Sequence, residues 1–212
     1  MAPHQQRVYV GDDDQGMLDS TVWLLESVGL QAVPFTGGQV FLDNYSEELP
    51  ACVLLDIRMP GMGGLAVQEA LRERGSQLPI IFVSAHADVP IVVRAFRSGA
   101  IDFIEKPYNA QLLLDSVQRA LRMKQSPTSG GPQVIEVRER LDQLTPRERD
   151  VLLPLVQGHS NREIAEQLGI SVKTVDLYRG RVMKRMQADS LPALVGMAIG
   201  CGVVEALSLR AL

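Results

Sequence analysis

The chain has little of what marks a secreted or a membrane protein. Only two cysteines, Cys52 and Cys201, occur among 212 residues, which is too few for a disulfide framework and favours a reducing cytoplasm. No charged segment followed by an apolar run opens the chain, so we expect no signal peptide. The longest apolar stretch, near 193–204, contains several glycines and falls short of the roughly 20 residues that a membrane span needs, so we expect no membrane partner.

Charge is unevenly distributed along the chain. Hydrophobic residues make up 46%, which is enough for two small cores, and the formal net charge of −4 argues against indiscriminate binding to nucleic acid. Residues 171–187 differ, because they carry one acidic residue, Asp176, and five basic ones: Lys173, Arg179, Arg181, Lys184 and Arg185. This pattern is typical of a helix that contacts DNA, although an ordinary solvated helix face would share it.

Strand and helix patterns alternate through the first part of the chain. Apolar runs near 7, 31, 52, 80 and 101 alternate with helical patterns near 15–28, 38–45, 63–74, 88–98 and 109–124. The alternation predicts an α/β domain with a five-stranded, parallel, doubly wound sheet. After a segment rich in Ser, Pro and Gly only helical patterns remain, which predicts an all-α domain of four helices. We expect domains at 1–125 and 144–212, with a partly helical linker at 126–143.

Polar side chains stand where four of the predicted strands end. Asp12 and Asp13 follow the first strand, Asp56 follows the third, Ser84 ends the fourth and Lys106 follows the fifth. The carboxyl ends of parallel strands share one edge of the sheet, where such folds bind ligands. Each residue alone is more often a turn or surface residue. Together they fit phosphoryl transfer to Asp56, with Mg²⁺ held by the carboxylates and product oxygens bound by Ser84 and Lys106.

Capping signals divide the second domain into short helices. Capping boxes at Thr145–Glu148 and Ser160–Glu163 each start a helix, and Pro154 predicts a kink or an early irregular turn in the first of them. A turn at Gly169 leads to the helix 172–186, so these helices form a helix-turn-helix whose last member enters the major groove. A plain helical bundle would share the caps, and the basic residues favour DNA binding.

Helix 172–186 has a predicted core face and a predicted DNA face. Val175, Val182 and Met186 recur at helical spacing and should face the core. We expect base contacts from Lys173, Asp176, Leu177 and Gly180, and phosphate contacts from Thr174, Arg179, Arg181 and Lys184. Glycine in mid-helix costs about 1 kcal/mol against alanine. Close approach of the backbone to DNA would explain Gly180, and so would simple tolerance at a surface position.

The chain as a whole resembles a known family of regulators. Segments 11–14, 55–60, 83–90 and 99–107 are similar to the receiver domain of bacterial two-component response regulators. Segments 144–149, 161–165 and 172–176 are similar to LuxR-type DNA-binding domains, and the combination resembles the FixJ-like branch of the NarL/FixJ family. The resemblance implies a flavodoxin-like receiver followed by a helix-turn-helix domain, in a transcription factor controlled by phosphorylation.

The resemblance also implies roles for residues at the strand ends. Asp56 would accept phosphate from a sensor histidine kinase. Asp13 and the backbone carbonyl of Arg58 would join Asp56 around Mg²⁺, for which Mn²⁺ can substitute, and Asp12 would bind the ion through water. A phosphohydrolase is a competing interpretation, but such enzymes place a general acid two residues after the nucleophile, where this chain has Arg58. We therefore expect a protein that is not an enzyme.

Further implications concern the switch between inactive and active states. Ser84 and Phe103 would form the switch pair, with the hydroxyl moving towards the phosphate and the ring turning inward. The bond between Lys106 and Pro107 would be a cis peptide. Gly11 departs from the family, which usually has a branched apolar residue there. A ligand-sensing LuxR-type regulator is a further alternative, but it needs an apolar small-molecule pocket in its first domain, and the complete set of polar strand ends and the lack of aromatic residues for such a pocket argue against it.

Apolar residues cover an unusually wide arc of the helix near 88–98. We expect part of that surface to lack a partner in the monomer and to pair two phosphorylated receivers through Val89, Val92 and Phe96. A more deeply buried helix would show the same pattern. Pairing would place two recognition helices on a palindromic promoter site, and RNA polymerase is a further expected partner.

Overall fold

The protein is described by a computed structural model covering residues 6–46, 51–123 and 131–203. The expected linker segment 126–130 and the two ends of the chain lie outside the described residues. In the described part of the chain, no helix combines the length and apolar character needed to cross a membrane.

A parallel sheet of five short strands forms the centre of the first half of the chain. The strands are β1 (Arg7–Gly11), β2 (Gln31–Phe35), β3 (Ala51–Leu55), β4 (Ile80–Ser84) and β5 (Asp102–Glu105). Their order is β2-β1-β3-β4-β5, and all neighbours run parallel. Strands β3 and β4 are buried along their whole length, which explains their continuous apolar sequence. The predicted α/β fold is confirmed.

Five helices alternate with these strands along the chain. They are α1 (Gln15–Ser27), α2 (Gly38–Asn44), α3 (Gly64–Glu73), α4 (Val89–Arg97) and α5 (Ala110–Met123). A core forms where Leu25 of α1 and Val117 of α5 meet the strand residues Val8, Cys52 and Ile81, all of them fully buried. The helix limits agree with the sequence patterns to within two residues.

The remaining described helices form an all-α arrangement. They are α6 (Gly131–Asp142), α7 (Pro146–Gln157), α8 (Asn161–Leu168), α9 (Val172–Met186) and α10 (Leu191–Gly200). Both predicted capping boxes are present at the starts of α7 and α8. Gly158 and Gly169 end these helices with φ values of 96° and 65°, in the left-handed region that glycine tolerates. The predicted four-helix region after residue 144 is confirmed.

Pro154 does not end its helix early. Helix α7 continues through Pro154 to Gln157, and Pro154 lies buried in the last turn. The expected early irregular turn is therefore absent. Pro154 has no N–H to donate to the carbonyl of Asp150, so α7 lacks one backbone hydrogen bond at this point.

Contacts divide the described chain into two compact units. One contains residues of 1–86 and 98–129, and the other contains residues of 87–97 and 130–212, so α4 groups with the C-terminal helices. Val89 and Val92 of α4 are 8% and 0% exposed, and Phe96 is half-buried. The uncovered apolar surface that we expected at Val89 and Val92 is therefore not present. Pairing of receivers through this helix stays a prediction.

Candidate functional site

Backbone hydrogen bonds bring the ends of β1 and β3 side by side. Gly11 is in register with Leu55. The N–H of Asp56 donates to the carbonyl of Gly11 at 2.8 Å, and the N–H of Asp12 donates to the carbonyl of Phe35 at 3.3 Å. Asp12 and Asp56 therefore leave neighbouring strands at the same edge of the sheet.

The side chain of Lys106 joins these two carboxylates. Its Nζ lies 2.6 Å from Oδ2 of Asp12 and 2.5 Å from Oδ2 of Asp56. The hydroxyl of Ser84 donates to Oδ1 of Asp56 at 2.7 Å, and the N–H of Arg58 donates to the same oxygen at 3.1 Å. The residues predicted at the ends of four strands thus come together around Asp56.

The charges at this site are set by a balance between burial and hydrogen bonding. Burial by itself raises the pKa of Asp56, but hydrogen bonds from Lys106, Ser84 and the backbone of Arg58 outweigh it and hold the pKa below the ordinary value of 3.8. Burial lowers the pKa of Lys106, but its hydrogen bonds to Asp12 and Asp56 outweigh that effect and raise it. At neutral pH Asp56 is therefore an anion beside a cation.

Three carboxylates at this edge are suitable ligands for a divalent cation. Oxygens of Asp12, Asp13 and Asp56 lie within 4.8 Å of one another. Hard oxygen donors in such a group fit Mg²⁺, which prefers carboxylates and retained waters. Asp14 has another role, because its side chain caps the start of α1. Ligation by the carbonyl of Arg58 stays a prediction.

The two residues of the expected switch pair are both buried. Ser84 is fully buried at Asp56, and Phe103 is 2% exposed, with its ring centroid 6.0 Å from that of Phe82. A hydroxyl at the acceptor and an inward ring are the positions that the resemblance assigns to the phosphorylated state. The predicted cis bond between Lys106 and Pro107 is confirmed.

Gly64 packs against the backbone of Asp56, and it was not among the site residues that the sequence predicted. A Cβ at Gly64 would lie 2.3 Å from the carbonyl oxygen of Asp56 and 3.0 Å from the ring of Phe82. The N–H of Gly64 donates to the carbonyl of Ile57 at 3.0 Å. Only glycine lets the first residue of α3 approach so closely. The feature of the sequence that could have indicated its role is the glycine pair 63–64, which lies at the start of α3, the helix that follows β3.

Helix α9 has the two faces that its sequence predicts. Val175, Val182 and Met186 are fully buried. Arg179 and Thr174 are half-buried, and the other residues predicted to contact DNA are exposed: Lys173, Asp176, Leu177, Gly180, Arg181 and Lys184. Their contacts with DNA stay a prediction.

Arg185 differs from the other basic residues of this segment. Its Nε donates to Oε1 of the buried Glu148 at 3.1 Å, and another of its nitrogens donates to the carbonyl of Gln143 at 3.1 Å. Arg185 therefore ties the end of α9 to the start of α7. Its charge is paired with the Glu148 carboxylate inside the domain, unlike the charges of the exposed basic residues on α9.

Both parts of the chain match known protein families. The family described as "Response regulator receiver domain" matches residues 8–118. The family described as "Bacterial regulatory proteins, luxR family" matches residues 142–198. The first match contains the cluster around Asp56, and the second contains helix α9.

Similarity to individual proteins extends over both parts. The transcriptional regulatory protein FixJ of Azorhizobium caulinodans is 40% identical over 204 residues, covering 96% of this chain and 97% of that protein. The response regulator protein TodT of Pseudomonas putida is 37% identical over 195 residues, covering 92% and 86%. The crystal structure of full-length FixJ from B. japonicum has a TM-score of 0.53 at 37% identity, covering 93% of this chain and 97% of that one.

Proposed function

This chain belongs to the response regulators that join a receiver domain to a LuxR-type DNA-binding domain and regulate transcription, and we propose that phosphorylation of Asp56 controls its action on DNA. The single observation that carries the proposal is the environment of Asp56. Its carboxylate is ionised, is buried at the carboxyl edge of the sheet, and has a hydroxyl and an ammonium in hydrogen-bond contact.

The proposed reaction moves a phosphoryl group from a sensor histidine kinase to Asp56. An oxygen of Asp56 forms a bond to phosphorus while the bond from phosphorus to the histidine nitrogen of the kinase breaks. Mg²⁺, or Mn²⁺ in its place, held by Asp13, Asp56 and the carbonyl of Arg58, and by Asp12 through water, would supply positive charge next to the phosphoryl oxygens.

Two residues already at the acceptor would hold the product. Lys106 lies at Oδ2 of Asp56, so its ammonium can move to a phosphoryl oxygen and neutralise it. Ser84 lies at Oδ1, so its hydroxyl can donate to another phosphoryl oxygen. Both contacts change from the carboxylate to the phosphate, and from Ser84 on β4 the change reaches Phe103 on the neighbouring strand β5.

We assign residues 1–125 to the receiver, 126–143 to the linker and 144–212 to the DNA-binding domain. Phosphorylation would pair two receivers, and the pair would hold two copies of helix α9 on a palindromic promoter site, where RNA polymerase is a further partner. A location in the cytoplasm, where kinase and promoter DNA are both accessible, is part of this proposal.

The phosphoacceptor is tested with acetyl phosphate and Mg²⁺. The wild-type protein should gain one phosphate by intact-protein mass spectrometry, and Asp56→Asn should gain none, because an amide cannot attack phosphorus. Asp13→Ala should raise the Mg²⁺ concentration that labelling requires.

A matched control is Asp19→Asn on α1. Asp19 is exposed and accepts a hydrogen bond from Gln15, away from the acceptor cluster. Its variant should be labelled like the wild type. Full labelling of Asp56→Asn would place the phosphoacceptor elsewhere.

A further inference from the structure

Asn161 connects helix α8 to the exposed face of helix α9. It is the first residue of α8, and it is half-buried. Its Nδ2 donates a hydrogen bond to Oδ1 of Asp176, and its Oδ1 accepts one from a guanidinium nitrogen of Arg179 at 3.5 Å. One amide thus contacts an anion and a cation that both belong to α9.

An amide is the side chain that fits between these two charges. It offers a donor on one atom and an acceptor on the other, whereas a carboxylate only accepts and an ammonium only donates. Asp176 and Arg179 are three residues apart on one helix, so without the amide they are close enough to pair with each other. Asn161 keeps the carboxylate and the guanidinium each in a defined place.

We propose that Asn161 is a positioning residue for base recognition, which holds the Asp176 carboxylate where it accepts a hydrogen bond from the amino group of a cytosine in the major groove. Carboxylates recognise cytosine in this way, because its N4 amino group is a donor and, unlike the N6 amino group of adenine, has no acceptor N7 beside it on the same base. The inference rests on the proposed role of α9 as the DNA-reading helix.

The position of Asn161 makes the test specific for recognition. It lies just after the cap residue Ser160, so its side chain is not the cap of α8. Asn161→Ala places a good helix former there and removes both contacts. Asn161→Asp keeps the size, suits the positive start of the helix, and replaces the donor facing Asp176 by a repelling oxygen.

The experiment uses the full-length protein treated with acetyl phosphate and Mg²⁺. Bound duplexes are selected from a random-sequence DNA library, and affinities are measured for the preferred duplex, for single-base variants and for a random duplex. Asp176→Asn identifies the base pair that depends on Asp176. At that base pair, Asn161→Ala and Asn161→Asp should each lower the preference for cytosine about tenfold, within the range for one specific base contact.

Two measurements separate this role from a structural one. In the Asn161 variants, affinity for the random duplex should fall by no more than it does in Arg179→Ala, because at most the phosphate contact of Arg179 is disturbed, and the loss of preference at the Asp176 base pair should come in addition to this sequence-independent effect. Gln167→Ala is the control, since it removes an exposed amide from the same helix. It should select the wild-type sequence.

Different failures have different meanings. If Lys184→Ala and Arg179→Ala leave both affinity and salt dependence unaltered, the DNA surface is not on α9, and the proposed DNA-reading role of α9 fails together with the inference. If those variants do weaken binding but the Asn161 variants keep the full preference of the wild type, only the role of Asn161 is overturned. If Asp176→Asn selects the same DNA sequences as the wild type, the role of Asn161 is overturned as well.

Discussion

Gly11 stands at the end of β1 because the ring of Phe35 fills the space beside it. A Cβ at Gly11 would lie 2.3 Å from a ring carbon of Phe35, and that ring is stacked on Phe41 with centroids 4.7 Å apart. The ring has little freedom to move, because Phe35 and Phe41 are both buried. The departure of Gly11 from the family pattern is therefore matched by the aromatic residue on the neighbouring strand.

We predict that Gly11→Ala destabilises the protein by about 1–3 kcal/mol, the usual cost of overpacking a core. Urea denaturation followed by circular dichroism measures the change. In the double variant with Phe35→Leu, the added methyl group should cost less than it does in the wild-type background. An equal cost in both backgrounds would mean that the contact with Phe35 is not the reason for glycine.

Glu148 is a buried carboxylate whose charge stabilises the second unit. Burial by itself raises its pKa, but hydrogen bonds from the backbone and hydroxyl of Thr145 and the charge of Arg185 outweigh burial and hold the pKa below the ordinary value of 4.5. Because the folded form has the lower pKa, the stabilisation is fully present above about pH 4.5 and is lost as the pH falls through the folded pKa.

Glu148→Gln should therefore lower the free energy of unfolding by about 2 kcal/mol at pH 7, the scale of a hydrogen bond to a charged group. The difference from the wild type should shrink as the pH falls below 4.5. Denaturation curves between pH 3 and 7 test this. Glu163→Gln, in the exposed capping box of α8, should change stability less, and a difference independent of pH would contradict the assignment.

At the scale of the element, helix α9 contains a glycine that its fold does not require. Gly180 is exposed, its φ is helical, and a Cβ there would meet nothing within 4 Å. Alanine should therefore stabilise the helix by about 1 kcal/mol. From the sequence, Gly180 either allows close approach of the helix backbone to DNA or is simply tolerated at the surface. The two interpretations differ in what alanine at this position does to DNA binding.

We predict that Gly180→Ala raises the melting temperature and weakens binding to the selected duplex. The added methyl group would keep the helix backbone from approaching the floor of the groove. Calorimetry and a DNA titration on the same sample measure both effects. Unchanged or tighter binding by the more stable variant would identify Gly180 as a tolerated surface residue.

At the scale of the whole molecule, phosphorylation should convert binding at one half-site into binding at two. Recognition helices of a symmetric pair reach half-sites about 34 Å apart, one turn of B-DNA. Val92→Asp is not a clean test of pairing, because Val92 is fully buried and a charge there would disrupt the fold itself. The spacing of the half-sites tests pairing without changing the protein.

Insertion of about 5 base pairs between the half-sites turns one of them to the opposite side of the duplex. We expect the phosphorylated protein to bind this duplex about 100-fold more weakly than the duplex with the natural spacing. A dimer bound at one half-site can no longer reach the other, so the second contact adds nothing to the affinity. Asp56→Asn, treated alike, should bind both duplexes equally. Light scattering should show a dimer only for the phosphorylated wild type, and equal binding of both duplexes by that dimer would exclude the symmetric arrangement.

The sequence by itself determined the elements and the residues at their ends. Periodicity of two or of about 3.6 depends on neighbours along the chain, so the limits of the strands, the caps at Thr145 and Ser160, and the buried face of α9 could all be predicted. The carboxylates, Ser84 and Lys106 could be assigned to one edge, because parallel strands place their carboxyl ends together.

Only the tertiary structure decided which side chains touch. Lys106 reaches Asp12 and Asp56 across 94 and 50 residues of sequence, and Asn161 reaches Asp176 across the turn between two helices. The same holds for Val92, which has the pattern of a surface stripe but is buried. Such contacts depend on strand register and on how helices pack. A periodic pattern shows which side of an element is apolar, but it does not show which part of the protein packs against that side.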